Sequence, residues 1–144
     1  MTRPPNIAIG NEAELMAHLD ARFANAADER ALGGFGLLLL RMVGVRDAAA
    51  AASCLTRTLR ESDFLARIDD AHMAIVIPQV SDRETAKRIA EKLARALLPE
   101  YASRLALGGA LFPSDATARD ALIDAATERI QRASTQADNA GIEV

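Results

Sequence analysis

The sequence predicts an α/β (α+β) sandwich in which one central, largely antiparallel sheet is flanked by helices. Three observations predict it. Half of the 144 residues are hydrophobic, yet there are only four Phe, one Tyr and no Trp, so the apolar mass is mostly Ala and Leu, a composition suited to helices laid on a sheet. Segments of helical and strand periodicity follow each other in the order α-β-α-β-β-α-β-α-β. Two short strand-like runs also flank the polar turn Asp69-Asp70-Ala71-His72, and the second of them stops at Pro78, as a hairpin arm does.

Residues 1–10 read as an irregular lead-in containing Pro4, Pro5 and Gly10. Asn11 is placed to cap a helix over residues 12–27, whose apolar positions Leu15, Met16, Leu19, Phe23 and Ala26 recur at helical spacing. Gly33, Gly34 and Gly36 punctuate a turn, and the apolar run 37–43 behind them reads as a buried strand. An alanine-rich helix is expected over 47–59, and strands over 64–68 and 73–77. Ser81, with Glu84 three residues on, has the pattern of a capping box opening a helix that runs to Leu98, with Ile89, Leu93, Ala96 and Leu97 as its apolar stripe. A strand over 105–112 ends at Pro113. A last helix runs from Thr117 to about Ala137 with Leu122, Ala125, Ala126 and Ile130 inward, and residues 141–144 close as a short edge strand.

This length fits one domain spanning residues 1–144. A net charge of −3 provides no general basic field, so DNA and RNA are not expected partners. The single cysteine, Cys54, excludes an internal disulfide and a cysteine-rich zinc site, and in its alanine-rich run it reads as a small buried filler. No stretch is apolar enough to span a bilayer and none resembles a signal peptide, so the expectation is a cytoplasmic chain, or the cytoplasmic domain of a larger membrane-associated protein, with no membrane insertion of its own.

An ordered series of motifs carries a family resemblance. Arg60-Glu-Ser-Asp63 is followed by residues 64–68, then by Asp69, Asp70, Ala71, His72 and Met73, then by a strand ending at Pro78 and a helix containing Ile89-Ala-Glu-Lys92. Further on come Leu107-Gly-Gly-Ala-Leu-Phe-Pro113 and Asn139-Ala-Gly141. This series resembles the GGDEF (diguanylate cyclase-like) domain: an Arg-x-x-Asp pair, five further residues, the GGDEF turn, an apolar strand ending in proline, and a helix. The likeness is clear over residues 60–141 and weaker over 11–59, and it implies a nucleotidyl-cyclase-like fold.

What the resemblance implies about chemistry is a loss and a retention. Cyclases of this family hold metal ions on an acid at the end of the first core strand and on another in the GGDEF turn, where the ions neutralise charge developing during phosphoryl transfer. Here the first strand has no acid, and Arg41 falls about where the ligand would be. Ala71 and His72 take the acid positions of the turn, and His is a poor ligand for a hard ion. Asp69 and Asp70 replace two glycines, adding bulk and negative charge beside a would-be triphosphate, and only Gly44, Val45 and Arg46 separate the first strand from the next helix, where the family carries its guanine-reading Asn and Asp. The expectation is a degenerate, non-enzymatic domain with no catalytic residues, no cofactor and no metal; the turn residues Asp69, Asp70 and His72 suit a solvated hairpin better than an ion site. His18 is expected at the surface or its boundary.

The retained part is the Arg-x-x-Asp pair, in this family a product-binding site apart from the catalytic one. It implies that Arg60 and Asp63, one side of a helical turn apart, read a guanine of cyclic di-GMP, the guanidinium taking the O6/N7 edge and the carboxylate the opposite one. Lys92 matches the family's second cationic contact, with Arg88 and Arg95 on the same helical face, and Arg67 lies near in sequence. Degenerate domains of the PelD-like and BcsE-like kind act as cyclic di-GMP receptors in bacterial exopolysaccharide machinery. The resemblance therefore implies a receptor with a protein partner in a signalling or exopolysaccharide (biofilm) complex, open to forming a homodimer. The alternative is a ligand-free dimerisation or scaffolding module, in which Arg60 and Asp63 are a surface ion pair contributing roughly 0.3–0.5 kcal/mol.

Overall fold

The computed structural model describes residues 8–136 and 139–144. Its elements run β1 (Ile9–Gly10), α1 (Glu12–Ala24), α2 (Ala26–Ala31), β2 (Phe35–Val43), α3 (Ala48–Thr58), β3 (Phe64–Arg67), β4 (His72–Pro78), α4 (Arg83–Leu97), β5 (Arg104–Phe112), α5 (Arg119–Ala133) and β6 (Ala140–Glu143). One six-stranded sheet has the order β1-β3-β4-β2-β5-β6. Its centre is antiparallel: β2 pairs with β4 on one side and β5 on the other, and β3 pairs with β4. The two short edges are parallel, β1 on β3 and β6 on β5. The expected α/β sandwich is thus the observed architecture.

Side-chain alternation along β2 sorts the core into two layers. Leu38, Leu40 and Met42 pack with Ile75, Ile77, Leu105 and Leu107 under α3 and α4. Phe35 and Leu37 pack with Val76, Ala110 and Phe112 under α1 and α5. Both faces are covered, which explains why β2, β4 and β5 read as unbroken apolar runs. Gly108 lets α5 lie close on the sheet: a Cβ there would sit 2.6 Å from the Ala126 carbonyl oxygen. Asp115, in the β5–α5 connection with its side chain only 6% exposed, joins three elements. It accepts two hydrogen bonds from Arg129 of α5 (2.7 and 2.9 Å), others from Arg83 at the start of α4, and one from the Leu111 amide (2.8 Å).

Several expected boundaries shift. The lead-in contributes a strand at its end, β1, while residues 1–7 and the expected last helical residue Ala137 lie outside the described residues. The first helix stops at Asn25 and a second, α2, follows; none of its residues is fully buried, so no apolar stripe announced it. Gly33 and Gly34 do make a turn, at φ of 100° and 84°, but Gly36 belongs to β2. Helix α4 is capped by Asp82, whose carboxylate accepts from the Thr85 amide at 2.8 Å; the Ser81–Glu84 capping box does not form. Helix α5 begins at Arg119 with no side-chain cap, two residues later than expected. The Asn11 capping box is present, reciprocated by Glu14. No helix among the described residues is long and apolar enough to cross a membrane.

Candidate functional site

Arg60 and Asp63 lie just past α3, which ends at Thr58. They occupy a tight turn closed by the Asp63 amide donating to the Arg60 carbonyl at 3.0 Å, not the helical turn that their spacing suggests. The two side chains do meet. Asp63 Oδ1 accepts from an Arg60 guanidinium nitrogen at 3.3 Å, and Oδ2 accepts from the Arg60 backbone amide at 2.8 Å. The same guanidinium nitrogen donates to the carbonyl of Pro78, at the end of β4, at 3.2 Å.

Burial separates the pair. The Arg60 side chain is 56% exposed, whereas that of Asp63 is 4% exposed. The expectation that Asp63 offers a free carboxylate to a base is corrected here. A carboxylate is the strongest acceptor the turn has, and burial commits it to the two donors of Arg60. Its position fixes the root and the inner edge of the arginine, and the outer edge of the guanidinium faces solvent.

The second cationic group is split in the same way. Arg88, Lys92 and Arg95 are all exposed on α4 and share one stripe, and none has an ion-pair partner among the described residues. Arg60 is fastened at Pro78, before the start of α4. At 1.5 Å per residue, Arg88 is about one and a half turns into the helix, whereas Lys92 is roughly 14 Å along its axis from Arg83. Of these three cations, Arg88 lies nearest the start of α4; Lys92 and Arg95 belong to the helix's far half. Arg67 points elsewhere, into an ion pair with Asp70 at 2.9 Å.

The hairpin turn is held by its own side chains. Asp69 accepts from the amides of Ala71 (2.8 Å) and His72 (2.9 Å) and contacts the His72 ring Nδ1 at 2.9 Å. These hydrogen bonds, the Ala71 amide first and the His72 ring next, hold the Asp69 carboxyl below the usual carboxylate range. Met73 leaves the turn for the core, 1% exposed. Arg41 is directly opposite His72 in the β2–β4 register, and both are on the α5 face of the sheet. Among the described residues, no group of three or more His, Cys, Asp or Glu side chains could hold a metal ion.

His18, expected at the surface or its boundary, is half-buried and stacks on Phe64 with ring centroids 4.3 Å apart. Its Nε2 accepts from Arg22 Nε at 2.9 Å, and desolvation together with that guanidinium lowers its pKa to about 4. Cys54 is a partly buried thiol that faces the Ala96 carbonyl at 3.5 Å. Sequence reasoning missed the polar cavity between Arg41 and the end of α5. The signal was available in the two-residue alternation of β2, which puts Arg41 on the face of Leu37 and Leu39.

The family described as "Diguanylate cyclase, GGDEF domain" matches residues 49–140, well over half of the chain. Curated protein sequences yield no match. Among solved structures, the GGDEF domain of YfiN (TpbB) from Pseudomonas aeruginosa superposes with a TM-score of 0.78 at 20% identity, covering 95% of this chain and 98% of that one. The FimX GGDEF domain from Pseudomonas aeruginosa gives 0.77 at 16% identity, covering 100% and 99%. The active GGEEF domain of a diguanylate cyclase from Vibrio cholerae gives 0.77 at 16% identity, covering 95% and 99%. At these identities the structures share the fold. With the family matched across the hairpin, the helix behind it and the late strand, this chain belongs to the GGDEF family, the domain family of the diguanylate cyclases.

Proposed function

We propose that this domain is a non-enzymatic receptor for cyclic di-GMP, which docks on Arg60 and alters a contact with a protein partner. The observation that carries the reading is the state of Arg60: a guanidinium more than half exposed, fixed on its inner side by Asp63 and the Pro78 carbonyl. A guanidinium restrained in this way loses less side-chain freedom on binding, and its outward N–H groups suit the O6/N7 edge of guanine. Asp63 then acts as a positioning residue for Arg60, and Arg88, closest of Arg88, Lys92 and Arg95 to the start of α4, supplies the second cationic contact. Lys92 and Arg95 serve a ligand that reaches along α4, or one shared with a second copy of the chain.

The donor set at the cyclase position supports the non-enzymatic half of the proposal. Arg41 and Ala71 supply no side-chain oxygen, and His72 is engaged with Asp69, so these residues do not fit magnesium. Asp69 and Asp70 stand where glycines would admit a nucleotide, and β2 reaches α3 through residues 44–47 alone. A partner in exopolysaccharide signalling extends the same reading.

The burial of Asp63 favours a second reading, a ligand-free dimerisation or scaffolding module, because it removes one of two base-reading groups. Titration calorimetry separates the two. The receptor predicts saturable binding of cyclic di-GMP, lost in Arg60→Ala, and no conversion of GTP with magnesium. A wild-type domain that gives no heat with cyclic di-GMP leaves the scaffold.

A further inference from the structure

The sheet edge formed by β6 carries outward hydrogen-bonding groups beside an apolar groove. The Leu105 amide donates to the Asn139 carbonyl at 2.7 Å, and the register sets Leu105 beside Ala140 and Leu107 beside Ile142. In a parallel ladder this turns the N–H and C=O groups of residues 139, 141 and 143 towards β5 and those of Ala140 and Ile142 outward. The side chains of Ala140 and Ile142 pack on the core layer under α4. With Glu91, Ala94, Arg95 and Leu98 they line a groove of about 530 Å³ between α4 and the edge.

One side chain guards this edge. Gln136, just past α5, accepts from the Ile142 amide through Oε1 and donates to the Ile142 carbonyl through Nε2, both at 3.3 Å, as a neighbouring strand would. Its Nε2 also donates to the Glu143 carboxylate at 3.0 Å. The outward groups of Ala140 have no such guard among the described residues. An unpaired edge is a template for another strand, and β6 has neither the lysine nor the proline that commonly blunts one.

We infer that this edge pairs antiparallel with the same edge of a second copy of the chain, and that Gln136 is the latch that swings aside to admit it. Centred on Gly141, the pairing sets Ala140 against the partner's Ile142 and Ile142 against the partner's Ala140, so each outward N–H and C=O is answered by its counterpart. The same twofold axis lays the two α4 helices antiparallel on one face of the joined sheet and merges their grooves. Each groove carries one acid and one base, Glu91 and Arg95, one helical turn apart and neither in an ion pair among the described residues. A strand of a single charge would meet a like charge there, whereas a second copy brings base to acid and acid to base. Ala94, Leu98 and Ile142 supply the apolar floor. A four-residue edge makes a smaller contact than permanent dimers bury, so the association is reversible and depends on concentration. It needs neither nucleotide nor Arg60.

The test is sedimentation equilibrium of the nucleotide-free full chain over a wide concentration range, with amide hydrogen exchange at Ala140 and Ile142 followed by NMR. A reversible dimer is expected, and exchange at both amides slows as it forms. Gln136→Ala removes the competitor and is expected to tighten the dimer about tenfold. Arg95→Glu sets like charges across the axis and is expected to weaken it about tenfold, and combining it with Glu91→Arg is expected to restore it. Melting temperatures check that the variants fold, and the charge variants decide the matter should Gln136→Ala not do so. A chain that stays monomeric in both the wild-type and Gln136→Ala forms overturns the inference and leaves the edge to a strand of another protein. A dimer indifferent to Gln136→Ala and Arg95→Glu also overturns it. So does a dimer lost on deletion of residues 1–7, which assigns the groove to that segment of the second copy.

Discussion

At the scale of single residues, the two members of the Arg-x-x-Asp pair have different duties, and mutation separates them. Asp63 is buried and satisfies the Arg60 amide, so Asp63→Ala leaves a turn donor unpaired and is expected to destabilise the domain by about 1–3 kcal/mol in urea unfolding. Arg60→Ala removes a half-exposed side chain; its expected cost is about 0–1 kcal/mol, while ligand binding, measured separately, is lost. Acid sensitivity comes from two other residues. His18 titrates near pH 4 when folded, below its unfolded value, so the unfolded state binds the extra proton in between. Its contribution is complete above an unfolded pKa of about 6.5 and is lost as pH falls towards 4. Asp115 is also depressed, well below the carboxylate range: burial opposes the shift, but the Arg129 and Arg83 hydrogen bonds outweigh it. Its contribution is present above the unfolded carboxylate pKa and falls away only in stronger acid, below about pH 4. Melting temperatures against pH are expected to flatten between pH 6.5 and 4 in His18→Gln. Asp115→Asn is expected to cost about 1–3 kcal/mol at neutral pH, since it removes the charge facing Arg83 and Arg129 and one of the two acceptor oxygens, and to lose the steep fall below pH 4.

At the scale of elements, tight packing on glycine is the sharpest sequence-encoded constraint. Gly108 of β5 faces α5 so closely that a methyl group would meet the backbone at Ala126 and Ile130, and backbone cannot rotate aside. Gly108→Ala is therefore expected to lift α5 and cost about 1–3 kcal/mol or more, read as a lower denaturant midpoint, whereas Gly33→Ala meets no atom within 4 Å and acts only through its φ of 100°. The elements legible in the sequence were those whose burial writes a period: β2, β4 and β5 as apolar runs, and α4 as an amphipathic stripe. Those that escaped write none. The two-residue β1 is too short for alternation, and α2 has no fully buried side chain. The candidate site was legible to the same degree. The spacing that matches the family found Arg60 and Asp63, but spacing alone suggested a helical turn and could not show that the Asp63 carboxylate points inward, because that depends on the Arg60 amide and on β4 packing above it.

At the scale of the whole molecule, Arg60 is fastened at the Pro78 end of β4 and Arg41 faces His72 at the other end of the same strand, so the proposed ligand position and the cyclase position are separated by the length of that strand. The cyclase position tests how deep the proposed degeneracy goes. Arg41→Asp, Ala71→Asp and His72→Glu together would place three acids on neighbouring strand ends, enough oxygen for a divalent ion. Such a variant is expected to bind magnesium by calorimetry. It is still expected to make no cyclic di-GMP by chromatography of a GTP reaction. Asp69 and Asp70 would remain where the phosphates must approach, each tied into the turn, the one by the Ala71 amide and the other by Arg67. The four residues from Gly44 to Asp47 would still leave no segment between β2 and α3 to hold the guanine in line for attack. Positioning supplies much of the rate in phosphoryl transfer, and restored charge without it leaves the reacting groups unaligned. Cyclic dinucleotide formed by the triple variant would place the loss of activity in the acids alone and would make the short β2–α3 connection irrelevant to catalysis.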